Sequence, residues 1–213
     1  MDNLQSGNGE AMPIASTDFE KKNEATNEVI APYVIRAEIV GVAPLLFHAW
    51  DCADVEDKGR AAKGSKRKKT DNLESYVYRC PDKTLGVPGA NIKACLVNAA
   101  RWSQDPRSPR KSAMDLMKAG VLVQPLMISF GQKDWDYEDR RRVTIQRNGI
   151  TRVRPALHEG WKLKFEIKVI ASEYLYHQLM REVVNRAGEL VGLCDFRPDF
   201  GRFSVVNWKI SDA

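Results

Sequence analysis

The sequence predicts an α+β fold in which the elements follow the order β-α-β-β-α-β. Three stretches carry this prediction. Apolar and charged residues alternate cleanly over residues 161–170, which is typical of a strand with one buried face. Residues 175–190 place their apolar side chains on one helical stripe. A glycine-punctuated segment, residues 188–203, then leads into a last strand at residues 203–210.

The N-terminal part is predicted to be an arm followed by a core strand. Residues 1–31 are rich in Asn, Ser, Glu and Gly, so they cannot bury enough apolar surface to offset chain entropy. We expect a flexible arm, or an arm that becomes ordered only against a partner. The β-branched residues between positions 33 and 47 predict the first core strand. Residues 32–213 are expected to form a single domain with insertions at about residues 51–75 and 103–158.

The first insertion is strongly basic. Between Asp57 and Asn72 it carries seven cationic side chains and no large apolar residue, and four of the cations form one run at residues 66–69. Such a segment is either a solubilising loop or a basic finger that phosphates order. A run of like charges repels itself until a polyanion neutralises it, which favours the basic finger.

The first helix is predicted to begin at the Pro-Gly pair of residues 88–89, because Ile92 and Leu96 follow at helical spacing. Its first turn offers free backbone N–H groups and the positive end of the helix dipole, with Asn91 and Lys93 alongside. This segment is either an anion site or an ordinary capped helix.

The second insertion contains an arginine-rich hairpin. A strand is predicted at residues 121–130, after a polar segment that proline interrupts. Residues 140–155 then bear six arginines around Asn148-Gly149, a dipeptide that is the strongest short-range signal for a hairpin turn. An arginine-lined ribbon is either a solvated face or a thumb that lies along a nucleic-acid strand.

The segment 188–203 combines glycines, arginines and aromatic rings. Glycines lack a Cβ and can let the backbone come close to a ligand. Arg197 and Arg202 suit phosphate, and the phenylalanines between them either stack on bases or fill a core. The alternative is a well-packed connection with two solvated arginines.

Composition restricts the function classes. A net charge of +5 is a mild bias toward polyanions. No segment reaches the roughly 20 apolar residues of a membrane span, so a cytoplasmic protein is expected. The four cysteines and three histidines are scattered without CxxC spacing, so we predict reduced thiols, no metal site and no cofactor. A nucleotide-binding enzyme is disfavoured because no GxxxxGKS or GxxxxGKT motif occurs.

The predicted order, with its basic insertions, is that of a ferredoxin-like (RRM-like) core. Its glycine segment, which includes Asp-Phe-Arg-Pro-Asp-Phe-Gly-Arg-Phe at residues 195–203, resembles that of the RAMP superfamily of CRISPR effector and processing complexes. Gly-Val-Pro-Gly-Ala-Asn-Ile-Lys at residues 86–93 is similar to the helix entry of backbone subunits in that superfamily. A diverged relative encoded by a mobile element fits equally. The resemblance implies that the basic loop and the hairpin correspond to finger and thumb insertions.

The first functional hypothesis is non-enzymatic, sequence-independent binding of single-stranded RNA. The family likeness implies a guide-RNA backbone-type subunit of a CRISPR-like ribonucleoprotein in antiviral defence, with several copies side by side on one RNA and other subunits as partners. The predicted nucleic-acid-binding residues share cationic or amide side chains and are Lys66, Arg67, Lys68, Lys69, Asn91, Lys93, Arg140, Arg141, Arg142, Arg147, Arg152, Arg154, Arg197 and Arg202.

Two alternatives stay open. An RNA-cleaving RAMP-type endoribonuclease would use His48 as a general base, because a histidine pKa of about 6.5 suits proton transfer near neutral pH. It would also use Asp51, which resembles the loop aspartate that cuts target RNA in certain backbone subunits. A lone histidine after a strand is equally compatible with a structural role. The other alternative is a single-stranded DNA-binding protein of recombination or phage assembly, because stacking and arginine grooves do not distinguish RNA from DNA.

Overall fold

The computed structural model describes residues 31–50, 72–145 and 148–213, together with Glu56 and Arg60. For residues 143–145 and 148–150 it describes the backbone only. The predicted arm, Asp51, the basic run at residues 66–69 and Arg147 lie outside the described residues, so the predictions made for them stay predictions.

The described residues form twelve strands, which we number in chain order. They are β1 (Tyr33–Gly41), β2 (Leu45–Leu46), β3 (Tyr78–Arg79), β4 (Leu85–Pro88), β5 (Gln104–Asp105), β6 (Ser108–Ser112), β7 (Val121–Gln124), β8 (Met127–Ser129), β9 (Tyr137–Ile145), β10 (Asn148–Leu157), β11 (Lys162–Val169) and β12 (Phe203–Asp212). The same ranges contain the helices α1 (Gly89–Ala99), α2 (Met114–Gly120) and α3 (His177–Arg186). A 3₁₀ turn, Ala100–Trp102, continues α1, and a π-helical turn, Ala187–Val191, continues α3.

The central sheet has the strand order β12-β1-β11-β7, and every adjacent pair in it is antiparallel. Two smaller antiparallel sheets have the orders β2-β10-β9 and β3-β4-β8, and β5 pairs with β6. The chain therefore has an α+β fold built from antiparallel sheets and few helices, as the sequence predicts at the level of fold class.

One core joins the helices to the central sheet. Ile92 of α1 and Leu179 of α3 are buried together with Ile39 of β1 and Leu163 of β11. Alternate residues of β11 are buried and solvent-facing, as expected for a strand with one face on a core. The helices thus cover one face of the sheet and leave the other to solvent.

The solvent-facing side of the central sheet is charged. Arg36 of β1 donates a hydrogen bond to Glu166 of β11 at 2.7 Å, and Lys164 lies 3.5 Å from Glu38 across the same pair of strands. The outward positions of β1 and β11 carry no aromatic residue. Bases therefore find no ring to stack on along these two strands.

Several elements agree with the sequence, and one predicted strand is wrong. The alternating stretch forms β11, and the apolar helical stripe forms α3 with its π-helical turn. Residues 121–130, predicted as a single strand, form β7 and β8 in two different sheets. Pro125 separates them, because it has no N–H to donate to a sheet ladder and ends the first pairing.

The hairpin is present, but its predicted turn is displaced. β9 pairs with β10 so that Ile145 lies opposite Asn148 and Thr144 opposite Gly149. Asn148-Gly149 therefore belongs to a strand, and the predicted turn at that dipeptide is wrong. The observed register pairs the two strands continuously from Tyr137 with Ala156 to Ile145 with Asn148, and the pairing of the whole ribbon overrides a local turn signal.

None of the helices within the described ranges has the length and apolar content needed to cross a membrane.

Candidate functional site

The glycine loop, residues 188–203, is fixed to β2 by its backbone. The N–H of Asp195 donates to the carbonyl of Leu46 at 3.0 Å, and the N–H of Gly201 donates to the carbonyl of Pro44 at 2.8 Å. The loop also passes along the end of α1, because Cys95 Sγ donates to the carbonyl of Gly192 at 3.2 Å. These contacts hold the loop against β2 and against α1.

The glycines of this loop serve its packing. A Cβ on Gly188 would lie 2.0 Å from the carbonyl oxygen of Phe203, and a Cβ on Gly201 would lie 2.0 Å from that of Leu193. Gly201 also has a φ of 74°, which L side chains rarely adopt. The space that a side chain would need at these glycines is filled by the chain's own backbone, which favours the alternative of a well-packed connection.

A buried charge cluster connects the loop to the hairpin and to β2. The Nε of Arg154 lies 2.5 Å from Oδ2 of Asp195, and the Arg154 side chain is only 9% exposed. Its Nη1 is buried without a hydrogen-bond partner among the described residues. On the other side of Asp195, the same Oδ2 lies 3.4 Å from Nδ1 of His48, and the edge of the His48 ring faces Tyr76 with the centroids 4.9 Å apart.

The pKa of Asp195 reflects this setting. Burial raises the pKa, whereas the contact with His48, the positive charge of Arg154 and the backbone N–H of Phe196 lower it, and together they outweigh burial. The net pKa lies below the ordinary aspartate value, so Asp195 is ionised at neutral pH. An ionised carboxylate here compensates the buried guanidinium of Arg154.

Two phenylalanines of the loop pack against arginines of the hairpin. The Arg141 guanidinium lies 4.7 Å from the ring centroid of Phe196 and 4.4 Å from that of Phe200. Arg141 also binds both carboxylate oxygens of Asp139, at 2.5 and 2.6 Å. Arg154 lies 5.6 Å from the Phe196 centroid. Arg141, Arg154 and the two rings are thus engaged with one another, which makes them a structural unit of the loop and the hairpin.

The remaining hairpin arginines divide between two faces. Arg152 is paired directly opposite Arg141, so the two side chains share the face that meets the loop. Arg140 and Arg142 flank Arg141 in β9 and point to the other face, where both are exposed. Arg140 Nη2 lies 3.7 Å from Glu138 Oε2. The described arginines of this ribbon therefore do not all lie on one surface.

The two predicted contacts at the start of α1, Asn91 and Lys93, line different cavities. Asn91 lines a cavity of about 110 Å³ together with His48 and Asp195. Lys93 lines a different cavity, of about 410 Å³, with Met114 and Lys118 of α2. Asn91 and Lys93 are two residues apart on a helix, so they point in nearly opposite directions.

An open groove of about 500 Å³ lies between the end of α1 and the glycine loop. Its cationic lining consists of Arg101 and Arg197, and its aromatic lining consists of Trp102 and Phe196. Arg101 and Arg197 are exposed, and the Arg101 guanidinium lies 5.7 Å from the Trp102 ring centroid. Nearby on the loop, Arg202 is exposed and its Nε donates to the carbonyl of Pro198 at 2.8 Å. This groove is where exposed guanidinium groups and an exposed ring converge on one opening.

Sequence reasoning missed three residues of this region. Asp195 was part of a noted motif but received no role, and its partners His48 and Arg154 lie far away in the chain. Arg101 and Trp102 are neighbours in the sequence at the end of the predicted first helix. A cation next to a large aromatic ring is the sequence signal that could have indicated a binding site here.

The described cysteines behave as buried thiols. Cys80, Cys95 and Cys194 form no disulfide with one another. Burial raises the pKa of Cys95 and of Cys194 to about 12, so both thiols are protonated at neutral pH. Among the described residues, no group of three or more His, Cys, Asp and Glu side chains is arranged to hold a metal ion.

Comparisons with known proteins support the fold. No protein-family model matches the sequence, and no curated protein matches it. Among solved structures, the chain is similar to a chain in the cryo-EM structure of the Type III-B Cmr-beta bound to cognate target RNA, with a TM-score of 0.52 and 8% sequence identity. The similarity covers 92% of this chain and 66% of that one, so this chain spans just under two thirds of its length. At this identity the similarity shows a shared fold.

Proposed function

We propose that this chain is a non-enzymatic, sequence-independent binder of single-stranded RNA within a CRISPR-type ribonucleoprotein. The observation that carries the proposal is the groove beside the glycine loop, which the exposed residues Arg101, Arg197 and Trp102 line together. Guanidinium forks match phosphate oxygens, and an exposed ring accepts a base of any identity. A site of this composition binds the backbone and one face of a base, neither of which carries sequence information.

The fold supports a RAMP-type assignment with a ferredoxin-like core. Counted among themselves from the N-terminus, the four strands of the central sheet lie in the order 4-1-3-2. Helix α1 lies in the chain between the first and second of these strands, and α3 between the third and fourth. This arrangement is the β-α-β-β-α-β order of that core. The similarity to a chain of an RNA-bound Type III-B complex agrees with it.

The charge distribution refines the set of proposed RNA contacts. Arg197 and Arg202 on the loop, and Arg140 and Arg142 on the hairpin, are exposed and therefore suited to phosphate. Arg141 and Arg154 are committed to Asp139 and Asp195, so we assign them to the scaffold. Arg152 and the helix-entry residues Asn91 and Lys93 are the secondary proposed contacts, and the basic run at residues 66–69 and Arg147 remain proposed contacts from the sequence.

The proposed partners are the RNA, other subunits of the ribonucleoprotein and further copies of this chain along the same RNA. The complex that contains the structural neighbour is described as bound to cognate target RNA. By analogy with that complex, single-stranded RNA is the first ligand to test for this chain.

Equilibrium binding with labelled oligonucleotides tests the proposal. A single-stranded RNA of about 16 nucleotides and mixed sequence is titrated with the purified protein, alone and in competition with DNA of the same sequence. We expect saturable binding, with little change when the RNA sequence is permuted. Absence of binding at low salt would reject the function. Stronger binding of the DNA would favour a single-stranded DNA-binding protein, because the 2′-hydroxyl is the group that distinguishes the two ligands.

A second candidate function, RNA cleavage, is favoured by one observation. Nδ1 of His48 lies 3.4 Å from Oδ2 of Asp195, and the histidine is exposed. A carboxylate that orients an imidazole is a common arrangement for general acid–base chemistry. Incubation of end-labelled RNA with wild type, His48→Ala and Asp51→Ala tests it. Cleavage by wild type that both variants lose would establish an endoribonuclease, whereas intact RNA in all three samples supports the non-enzymatic binder.

A further inference from the structure

We infer that the groove holds one unstacked nucleobase of the bound RNA against the indole ring of Trp102, while Arg101 and Arg197 hold the adjoining phosphates. The inference deepens the proposed RNA-binding function and rests on it. It assigns the contact of a base to this site, in addition to the sequence-independent contacts to the backbone.

Hydrogen bonds from α3 hold the part of the chain that carries the Trp102 ring. Trp102 ends the 3₁₀ turn that follows α1, and Nη1 of Arg186, from α3, donates to the Trp102 carbonyl at 2.8 Å. The same Nη1 lies 2.8 Å from the hydroxyl of Ser103, and Glu182 forms an ion pair with Arg186. These contacts hold the chain at Trp102 and Ser103, so less backbone ordering remains when a ligand binds.

Trp102 is exposed although it is large and apolar. Its exposed fraction is 48%, and Leu190, which also lines the groove, is 46% exposed. The two side chains thus line one slot of about 500 Å³, a volume in the range of small-ligand sites, about 300–1,000 Å³. An exposed apolar slot of this kind is typical of a binding site.

The polar lining identifies the planar ligand as a base of a nucleic acid. Arg101 and Arg197 place positive charge at the slot, which suits a ring that carries phosphates. Asp195 also lines the slot, but its charge is paired with that of Arg154. Asn98 also lines the groove, and its amide can donate to and accept from the edge of a base. An apolar peptide side chain would use neither the charges nor the amide.

Phe196 is the other ring that lines the groove, and it is 37% exposed. The guanidinium groups of Arg141 and Arg154 lie 4.7 and 5.6 Å from its centroid, whereas Trp102 has only that of Arg101 within this range, at 5.7 Å. Trp50 is more exposed than Trp102, but it does not line the groove. Trp102 is the more exposed of the two rings in the groove, so the inference assigns the base to it.

Two ligands separate base stacking from phosphate binding. The first is an oligoadenylate RNA of about 12 nucleotides, and the second is an abasic ribose-phosphate chain of the same length. Each is titrated against wild type, Trp102→Ala, Trp102→Phe and Tyr176→Ala. Tyr176 is the matched control, because it is also an aromatic residue with 48% exposure and it precedes the start of α3, whereas the groove lies beyond its end.

We expect Trp102→Ala to weaken binding of oligoadenylate about tenfold, in the range of one lost base stack, and Trp102→Phe to restore most of the affinity. Tyr176→Ala should leave the affinity unchanged, and all four proteins should bind the abasic chain equally. Equal binding of oligoadenylate by wild type and Trp102→Ala would overturn the inference while RNA binding stands. Equal losses on both ligands would overturn it as well, because the base would then not be involved. Failure of wild type to bind either ligand would reject the proposed function together with the inference.

Discussion

The Nε atom of Arg154, in the hairpin, lies 2.5 Å from the Oδ2 atom of Asp195, in the glycine loop. The guanidinium is almost completely buried, so its charge depends on this carboxylate for compensation. Through the same carboxylate the loop reaches His48 just after β2. The position of the loop, and hence of Arg197 at the groove, is therefore coupled to an ion pair whose guanidinium is almost completely buried.

Replacing Asp195 should destabilise the fold. Asp195→Asn leaves Arg154 buried without a counter-charge, and we expect the free energy of unfolding to fall by about 3 kcal/mol. Urea denaturation followed by circular dichroism measures the change. Asp199→Asn is the matched control, because Asp199 is an exposed aspartate of the same loop and should change stability by less than about 0.5 kcal/mol. Equal effects of the two substitutions would show that the buried ion pair does not stabilise the loop.

The same carboxylate should give stability a specific pH dependence. The pKa of Asp195 is lower in the folded protein than in the unfolded chain, where it is about 3.9. Its contribution is thus fully present above that value and is lost as the pH falls through the folded-state pKa. The stability difference between wild type and Asp195→Asn should shrink as the pH falls below about 4. Denaturation at each pH tests this, and a difference that stays constant down to about pH 3 would contradict it.

Gly201 should tolerate no side chain. Gly201→Ala combines a φ of 74° with a Cβ only 2.0 Å from the Leu193 carbonyl oxygen, and we expect a loss of at least about 2 kcal/mol. Gly131→Ala is the matched control, because Gly131 has a φ of 80° but nothing within 4 Å of an added Cβ. It should lose only about 1 kcal/mol from backbone strain. Thermal unfolding of the two variants compares them, and equal shifts would mean that the loop can move away from Leu193.

Neighbouring hairpin arginines should differ in their contribution to stability. Arg141→Ala removes the contacts with Phe196 and Phe200 and the paired hydrogen bonds to Asp139, so we expect a loss of about 1–2 kcal/mol. Arg142→Ala removes an exposed side chain of the same type from the opposite face and should stay within about 0.5 kcal/mol of wild type. Urea denaturation gives both values. Two equally small losses would show that the contacts of Arg141 with the phenylalanines and with Asp139 do not stabilise the fold.

The sequence predicted those parts of the fold that depend on local patterns. The alternation in β11 and the apolar stripe of α3 are periodic signals that a buried face requires, and both elements were found. The division of residues 121–130 into two strands depended on Pro125 and on which sheets were available for pairing. The predicted turn at Asn148-Gly149 was wrong because both residues pair with β9, and the register of a whole hairpin does not depend on one dipeptide.

The candidate site was harder to predict because its contacts join distant segments. The sequence drew attention to the glycine loop, but the backbone that fills the space beside Gly188 and Gly201 could be known only after folding. Likewise, all six hairpin arginines look equivalent in the sequence, and only the pairing of Arg154 with Asp195 separates buried cations from exposed ones. Trp102 becomes part of a groove only because the glycine loop passes beside the end of α1.

The salt dependence of RNA affinity tests the central claim most directly. Affinity for single-stranded RNA is measured from about 50 to 200 mM salt for wild type, the double variant Arg101→Ala/Arg197→Ala, and Arg36→Ala as a control on the sheet. The account predicts a steep loss of wild-type affinity with salt, a slope of log K against log salt that is shallower by about 0.7 per groove arginine removed, and an unchanged slope for Arg36→Ala. A wild-type affinity that does not depend on salt, or a double variant with the wild-type slope, would contradict it.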